Sequence, residues 1–219
     1  MNNFININSL LRHGRKILVA FVGLSLLGLG VALMRVINLG VDPFGAMNLG
    51  FSQVTGISFG TFIWISHSPI FVIMLWRARR LIGIGTLMGM FIVGYVIDFF
   101  YYFANLIPFS IMDTHLVVRL LLLVPAMLIF SFGIALYMIA DVGTVPFDAA
   151  GVIIEEATKG KFKFRWARIM MDGICAVIAF ALGAPLGVAT ILTVVCLGPL
   201  ISYFISLFRV RTKPKEATK

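Results

Sequence analysis

Charge at membrane depth is costly and tends to mark substrate paths, proton relays or ion pairs, so ionisable side chains inside apolar stretches come first. His67 lies near the middle of one such stretch, flanked by Ser66 and Ser68, with Pro69 two residues on. An imidazole there could bind a polar solute or carry a proton. The plainer reading is that His67, Ser66 or Ser68 satisfies the Ile65 carbonyl, which Pro69 leaves without its helical partner. Asp98 and Arg35 fall at similar depth, roughly 24 and 27 Å from the cytoplasmic starts of their segments at the helical rise per residue. A structural Arg35–Asp98 charge pair is as well supported as a substrate site. Arg119 stands within one turn of a segment end and can snorkel. Arg168 and Asp172, four residues apart, suit an intrahelical pair better than a proton relay.

A second group of candidates comes from backbone chemistry. Pro43 and Pro146 each follow a glycine-containing break, Leu39-Gly40 and Val142-Gly143, and each suits the first turn of a helix, where a missing N–H costs nothing. Asp42 can cap the first of these helices, and Asp148 sits in the first turn of the second. The segments 43–55 and 146–158 are too short to cross a bilayer, so they are expected as re-entrant half-helices or interfacial helices. The residues expected to bind substrate are Pro43, Phe44, Asn48, His67, Asp98, Pro146, Phe147 and Asp148. Asn38 and Asp141 occupy corresponding places at the two breaks, where polar side chains can hold irregular backbone.

The elements that must position these residues follow from composition. Of 219 residues, 60% are hydrophobic and 12% charged, about half the charge a soluble domain carries. The surface must therefore face lipid. Six stretches approach the roughly 20 apolar residues that a bilayer core requires: 17–38, 59–76, 82–106, 116–140, 166–183 and 186–208. Sixteen of the 18 Lys and Arg residues lie before the first stretch, before or in the first turn of the fifth, or after the second and sixth, and the loops 39–58, 107–115 and 184–185 hold none. That asymmetry places both termini in the cytoplasm and accounts for the net charge of +9 without any nucleic acid. The first stretch is too long for a cleavable signal. Cys175 and Cys196 lack metal-ligand spacing and are expected as small packing residues, as are Gly23, Gly28, Gly30, Gly94 and Gly198.

The chain also repeats itself. Gly30, Asn38, Gly40, Pro43, Phe44 and Ala46 match Gly133, Asp141, Gly143, Pro146, Phe147 and Ala149 at a constant offset of 103. After one inserted residue, Gly56, Gly83, Thr86, Gly94 and Ile97 match Gly160, Gly187, Thr190, Gly198 and Ile201. Each half holds three stretches, an odd number, so the second half must enter the membrane from the opposite side, as in many secondary transporters. The expected fold is all-α and polytopic, with about six transmembrane helices in two inverted three-helix repeats. Its parts are a cytoplasmic segment 1–16, a first repeat 17–106, an external loop 107–115, a second repeat 116–208 and a basic tail 209–219.

Several motifs resemble the YczE/YyaS/YitT-type bacterial integral membrane proteins. They are Leu39-Gly-Val-Asp-Pro-Phe44, Thr55-Gly-Ile-Ser-Phe-Gly-Thr61, Gly83-Ile-Gly-Thr86, Gly94-Tyr-Val-Ile-Asp98 and Val145-Pro-Phe-Asp148. Gly45 stands where that family usually has Asp, and Val145-Pro146 replaces Gly-Pro. The resemblance covers nearly the whole chain and implies a multi-pass protein of the bacterial cytoplasmic membrane.

Function is weighed between a carrier or facilitator for a small polar solute, bound between the repeats, and a non-transporting accessory, scaffold or substrate-capture subunit. An intramembrane enzyme is least favoured: the chain has no His-Glu-x-x-His, no Gly-x-Ser-x-Gly and no nucleotide-binding loop. No catalytic residue, metal site or cofactor is expected. The partners expected are the lipid bilayer and the solute, with room for a homo-oligomer.

Overall fold

The computed structural model describes residues 7–106, 111 and 114–212, with the side chains of 7–12 and 209–212 outside that description. The expected basic tail residues Lys213, Lys215 and Lys219, and most of the expected external loop, lie outside the described residues. The described elements are helical: α1 (Ile7–Ile37), α2 (Pro43–Thr55), α3 (Phe59–Arg77), α4 (Ile84–Phe91), α5 (Val93–Leu106), α6 (Leu116–Ala140), α7 (Pro146–Ala157), α8 (Phe164–Ala181) and α9 (Val188–Thr212), with a 3-10 turn at Arg79–Leu81.

Among the described residues, four helices are long and apolar enough to cross a membrane, namely His13–Ile37, Phe59–Arg77, Leu116–Ala140 and Val188–Phe208. The expected third span is broken: α4 and α5 meet at an angle of 42°, and together they are long and apolar enough for a fifth crossing if the pair is one bent span. The break serves two neighbours at once. Gly89 of α4 lies against Val145, where an added Cβ would come within 2.4 Å of the valine side chain, while Gly94 of α5 lies against the Gly60 backbone at 2.7 Å. A straight helix would leave one of them. The remaining expected span, α8, carries Arg165, Arg168 and Asp172 in 18 residues and is not among those that qualify.

The long helices α1 and α6 form the spine. Without a hydrophobic drive between helices in lipid, close approach through small residues supplies the packing energy. A Cβ on Gly23 would meet the Tyr137 nitrogen at 2.6 Å, one on Gly30 would meet Phe130 at 2.7 Å, and one on Gly133 would meet the Leu27 nitrogen at 2.4 Å. Gly28 is packed in the same way against Val96. Gly198 departs from the expectation: nothing lies within 4 Å of its added Cβ, and it is exposed, because α9 turns that face outward instead of packing it on α8. Cys175 is buried and Cys196 half-buried, both as free thiols.

Both spine helices end in left-handed residues, Asn38 (φ 54°) and Asp141 (φ 52°), each followed by a positive-φ glycine, Gly40 or Gly143. Asn and Asp tolerate this region better than other non-glycine residues. Each break then docks on the other half of the chain. The Leu39 carbonyl accepts from Ala189 N at 2.9 Å, and the Val142 carbonyl accepts from Gly85 N at 2.8 Å. In each case a threonine closes the joint: Thr190 Oγ1 accepts from Gly187 N at 3.3 Å, and Thr86 Oγ1 from Gly83 N at 3.1 Å.

Candidate functional site

Helices α2 and α7 begin inside the molecule and end at its surface. Pro43 to Ala46, Pro146, Phe147 and Ala149 are buried, whereas Val54, Thr55 and Ala157 are exposed. Proline suits both first turns, and Asp42 Oδ2 accepts from Gly45 N at 2.9 Å as the cap of α2. The two starts face each other, and the rings of Phe44 and Phe147 stack with centroids 4.3 Å apart. Beside the stack lies a cavity of about 70 Å³. Its walls are mainly apolar, from Val31, Ile63, Phe130 and Ile134 besides the two phenylalanines, and its polar groups are Asp42, His67, Asp148 and Arg168.

His67 is 3% exposed, and among the described residues neither of its ring nitrogens has a hydrogen-bond partner. Its ring lies 4.9 Å from that of Phe44. Ser66 does not relieve the Pro69 break, since its hydroxyl goes to Asn48 Oδ1, and Ser68 bonds the Trp64 carbonyl at 2.8 Å. The expectation that one of the three satisfies Ile65 is thereby corrected: both serines are engaged elsewhere, and the imidazole is left unpaired.

Arg168 organises the other wall. It bonds Asp148, reaches Asp172 at 3.3 Å, and stands 4.6 Å over the Phe147 ring. The Tyr137 hydroxyl donates to the other oxygen of Asp148. The intrahelical Arg168–Asp172 pair is therefore one edge of a four-residue network joining α6, α7 and α8. Sequence reasoning passed over Tyr137 and assigned Arg168 only its local partner. The available signal was Asp148, an acid in the first turn of a short helix, with the chain returning 20 residues later to an arginine.

Five expected residues stand elsewhere: Pro43 and Pro146 are buried at the helix starts without lining the cavity, and Asp98, Arg35 and Asn48 lie away from it. Asp98 Oδ1 accepts from Arg35 Nη1 at 3.1 Å, and its other oxygen accepts from Gly60 N at 2.8 Å, at the start of α3. The Arg35 guanidinium lies between Phe59 and Tyr101, 4.6 and 3.9 Å from their centroids. This pair joins α1, α3 and α5, and neither member lines the cavity. Asn48 is fully buried and bonds the Phe44 carbonyl at 2.8 Å, which places it behind the cavity wall as a support for α2.

Comparison with known proteins gives the family. Residues 14–206 match the model of a family described as Family of unknown function (DUF6198). The chain belongs to that family. It is 27% identical over 192 residues to the uncharacterized membrane protein YczE of Bacillus subtilis (strain 168), covering 84% of this chain and 82% of the relative. It is 26% identical over 181 residues to the uncharacterized protein YyaS of the same organism, covering 82% and 87%. An uncharacterized protein of Haemophilus influenzae is 24% identical over 197 residues, covering 88% and 84%. No solved structure matches the chain.

In this DUF6198 member the two breaks are finished differently. At the first, Arg119 donates to the carbonyls of Ile37 and Asn38, at 2.9 and 2.6 Å, instead of snorkelling away. At the second, a cleft of about 400 Å³ opens, lined by His13, Arg80, Tyr137, Met138 and Asp141 among others. Lys16 holds the place 103 residues before Arg119, and among the described residues it makes no such bond to the end of α6. Tyr137 borders this cleft and, through Asp148, touches the wall of the buried cavity.

Proposed function

We propose that this protein is a membrane carrier or facilitator for a small polar solute, bound in the cavity between α2 and α7. Six spans in two inverted three-helix repeats frame that site, with both termini, the loop at 77–80 and the loop at 159–163 before α8 in the cytoplasm. The reciprocal docking of each break on the opposite half, at Leu39–Ala189 and Val142–Gly85, supports the repeat. So does the contact between residues 103 apart, Phe44 and Phe147. α8 then crosses with Arg168 and Asp172 facing protein, where charge within a bundle is tolerated.

One observation carries the functional reading: two buried helix starts meet at a cavity that holds an unpaired histidine and charges of both signs. Irregular backbone at membrane depth persists only inside protein or beside a water-filled space. A site reached from both halves is what a carrier opens to either side.

A second reading, a non-transporting accessory or substrate-capture subunit, draws on the tightness of the same seam, where the stacked rings leave only about 70 Å³. The two are separated by bridging cysteines at 44 and 147 with a short bis-maleimide, in protein whose Cys175 and Cys196 are replaced by alanine. A carrier reconstituted in proteoliposomes loses, on bridging, the solute uptake that the same double-cysteine protein shows before the reagent is added. Absence of uptake across a broad panel of small polar solutes, by unbridged protein, favours the accessory reading.

A further inference from the structure

On the reading that the α2–α7 cavity is the solute site, we infer that its ligand is a small organic ammonium cation. The charge balance points that way. One guanidinium, Arg168, serves Asp148 and Asp172 directly, and Asp42 lines the same cavity. The starts of α2 and α7 add roughly half a positive charge each. Against three carboxylates, roughly one negative charge remains to be balanced. Asp42 is where it falls: one oxygen accepts from Gly45 N, and among the described residues the side chain forms no ion pair.

The walls suit a cation that carries hydrocarbon. Ring faces attract positive charge, and two rings of this cavity already hold a guanidinium at 4.6 Å, Arg35 over Phe59 and Arg168 over Phe147. Phe44 and Phe130 line it and, among the described residues, have no such partner. His67 supplies what an ammonium group asks for: neutral imidazole has a lone pair, and neither nitrogen is engaged. A bare alkali ion would find few oxygens here. A cavity of about 70 Å³ is roughly the share of two waters, which fits an ammonium bearing one or two carbons.

The test is saturation-transfer NMR on the full-length protein in detergent, with methylammonium and ethylammonium chloride as probes and acetate, acetamide and potassium as comparisons. Asp42→Asn removes the charge and keeps an N-cap oxygen, and the helical signal in circular dichroism verifies that the variant folds. Ethylammonium is expected to bind wild type in preference to acetate and acetamide, to resist competition by potassium, and to bind Asp42→Asn at least about tenfold more weakly, as loss of a charge-assisted contact requires. Preference for acetate or acetamide, equal competition by potassium, or unchanged ethylammonium affinity in Asp42→Asn overturns the inference. Acetate or acetamide binding lost on bridging 44 to 147 would overturn it while leaving the carrier reading intact. Ethylammonium binding lost in Asp42→Asn, without any flux in proteoliposomes, would do the reverse.

Discussion

Phe44 and Phe147 stack with their ring planes 28° apart, and this contact closes the seam between α2 and α7. Both are largely buried, at 8% and 6% exposure. The pair therefore acts as one packing unit, and its two members should be energetically coupled. Phe44→Ala and Phe147→Ala are each expected to cost about 3 kcal/mol, the usual range for an aromatic truncated in a packed interior. The double variant should cost less than the sum, because the second truncation removes a contact already lost. Unfolding in mixed SDS micelles measures all three. Strict additivity would show that the rings do not lean on each other.

The docking joints predict which glycines the fold needs. An alanine Cβ at Gly83 would lie 2.1 Å from the Val142 carbonyl oxygen, and one at Gly187 would lie 2.3 Å from that of Leu39. Backbone cannot move aside cheaply, so Gly83→Ala and Gly187→Ala are each expected to lose about 2–4 kcal/mol. Gly198→Ala, with nothing near its Cβ, should be neutral within about 0.5 kcal/mol in the same assay.

Those joints also show what was legible beforehand. The matched Gly-x-x-Thr residues at 83–86 and 187–190, and the Asn38/Asp141 and Pro43/Pro146 pairs, were readable because local backbone chemistry fixes them. Helix existence followed from apolar length, which also put the ends of α6 at 116 and 140, and the start of α2 came out where the proline rule put it. The 42° break between α4 and α5 was hidden: it answers to Val145 and Gly60, which are distant in sequence. Gly198 misled for the same reason, since spacing cannot say which face of a helix meets a neighbour. At the site, Asp148 and His67 stood out as charge or polarity in apolar surroundings. Tyr137 did not, because an aromatic in a span is ordinary until the partner across the bundle is known.

Arg168 anchors two carboxylates, and only 22% of its side chain is exposed, so its removal should be far worse than removal of either partner. Arg168→Met strands Asp148 and Asp172 and is expected to cost about 3 kcal/mol or more, whereas Asp172→Asn should cost about 1 kcal/mol. Adding Asp148→Asn to Arg168→Met should restore part of the loss. The ranking is read from thermal unfolding of purified protein, and an Arg168→Met protein as stable as wild type would deny the network any structural role.

Asp98 and Arg35 look like a substrate pair by depth alone, but their geometry is that of a clamp on the start of α3. Asp98→Asn keeps an acceptor for Gly60 N and loses only the charge opposite Arg35. A stability loss of about 1.5 kcal/mol is expected, the scale of a charged hydrogen bond, with ethylammonium affinity unchanged. A variant of normal stability and impaired ligand affinity would move Asp98 back into the site.

Arg119 ties down the end of α1 by donating to Ile37 and Asn38, while the matching end of α6 borders an open cleft. In a carrier, such inequality between matching ends is what one state of an alternating cycle looks like. Arg119→Leu removes both bonds from the closed end only. If the two ends exchange roles, the substitution shifts the population toward a state open at the first break and closed at the second. A cysteine replacing Asn38 should then react faster with a membrane-impermeant maleimide added outside. One replacing Asp141 should react more slowly from the cytoplasmic side of inside-out vesicles. Each loss of two carbonyl bonds is worth a few kcal/mol at most, so the rate changes should be about three- to thirtyfold. Faster labelling at both positions would mean that Arg119→Leu merely loosens the fold, and unchanged labelling would mean that the two ends are fixed.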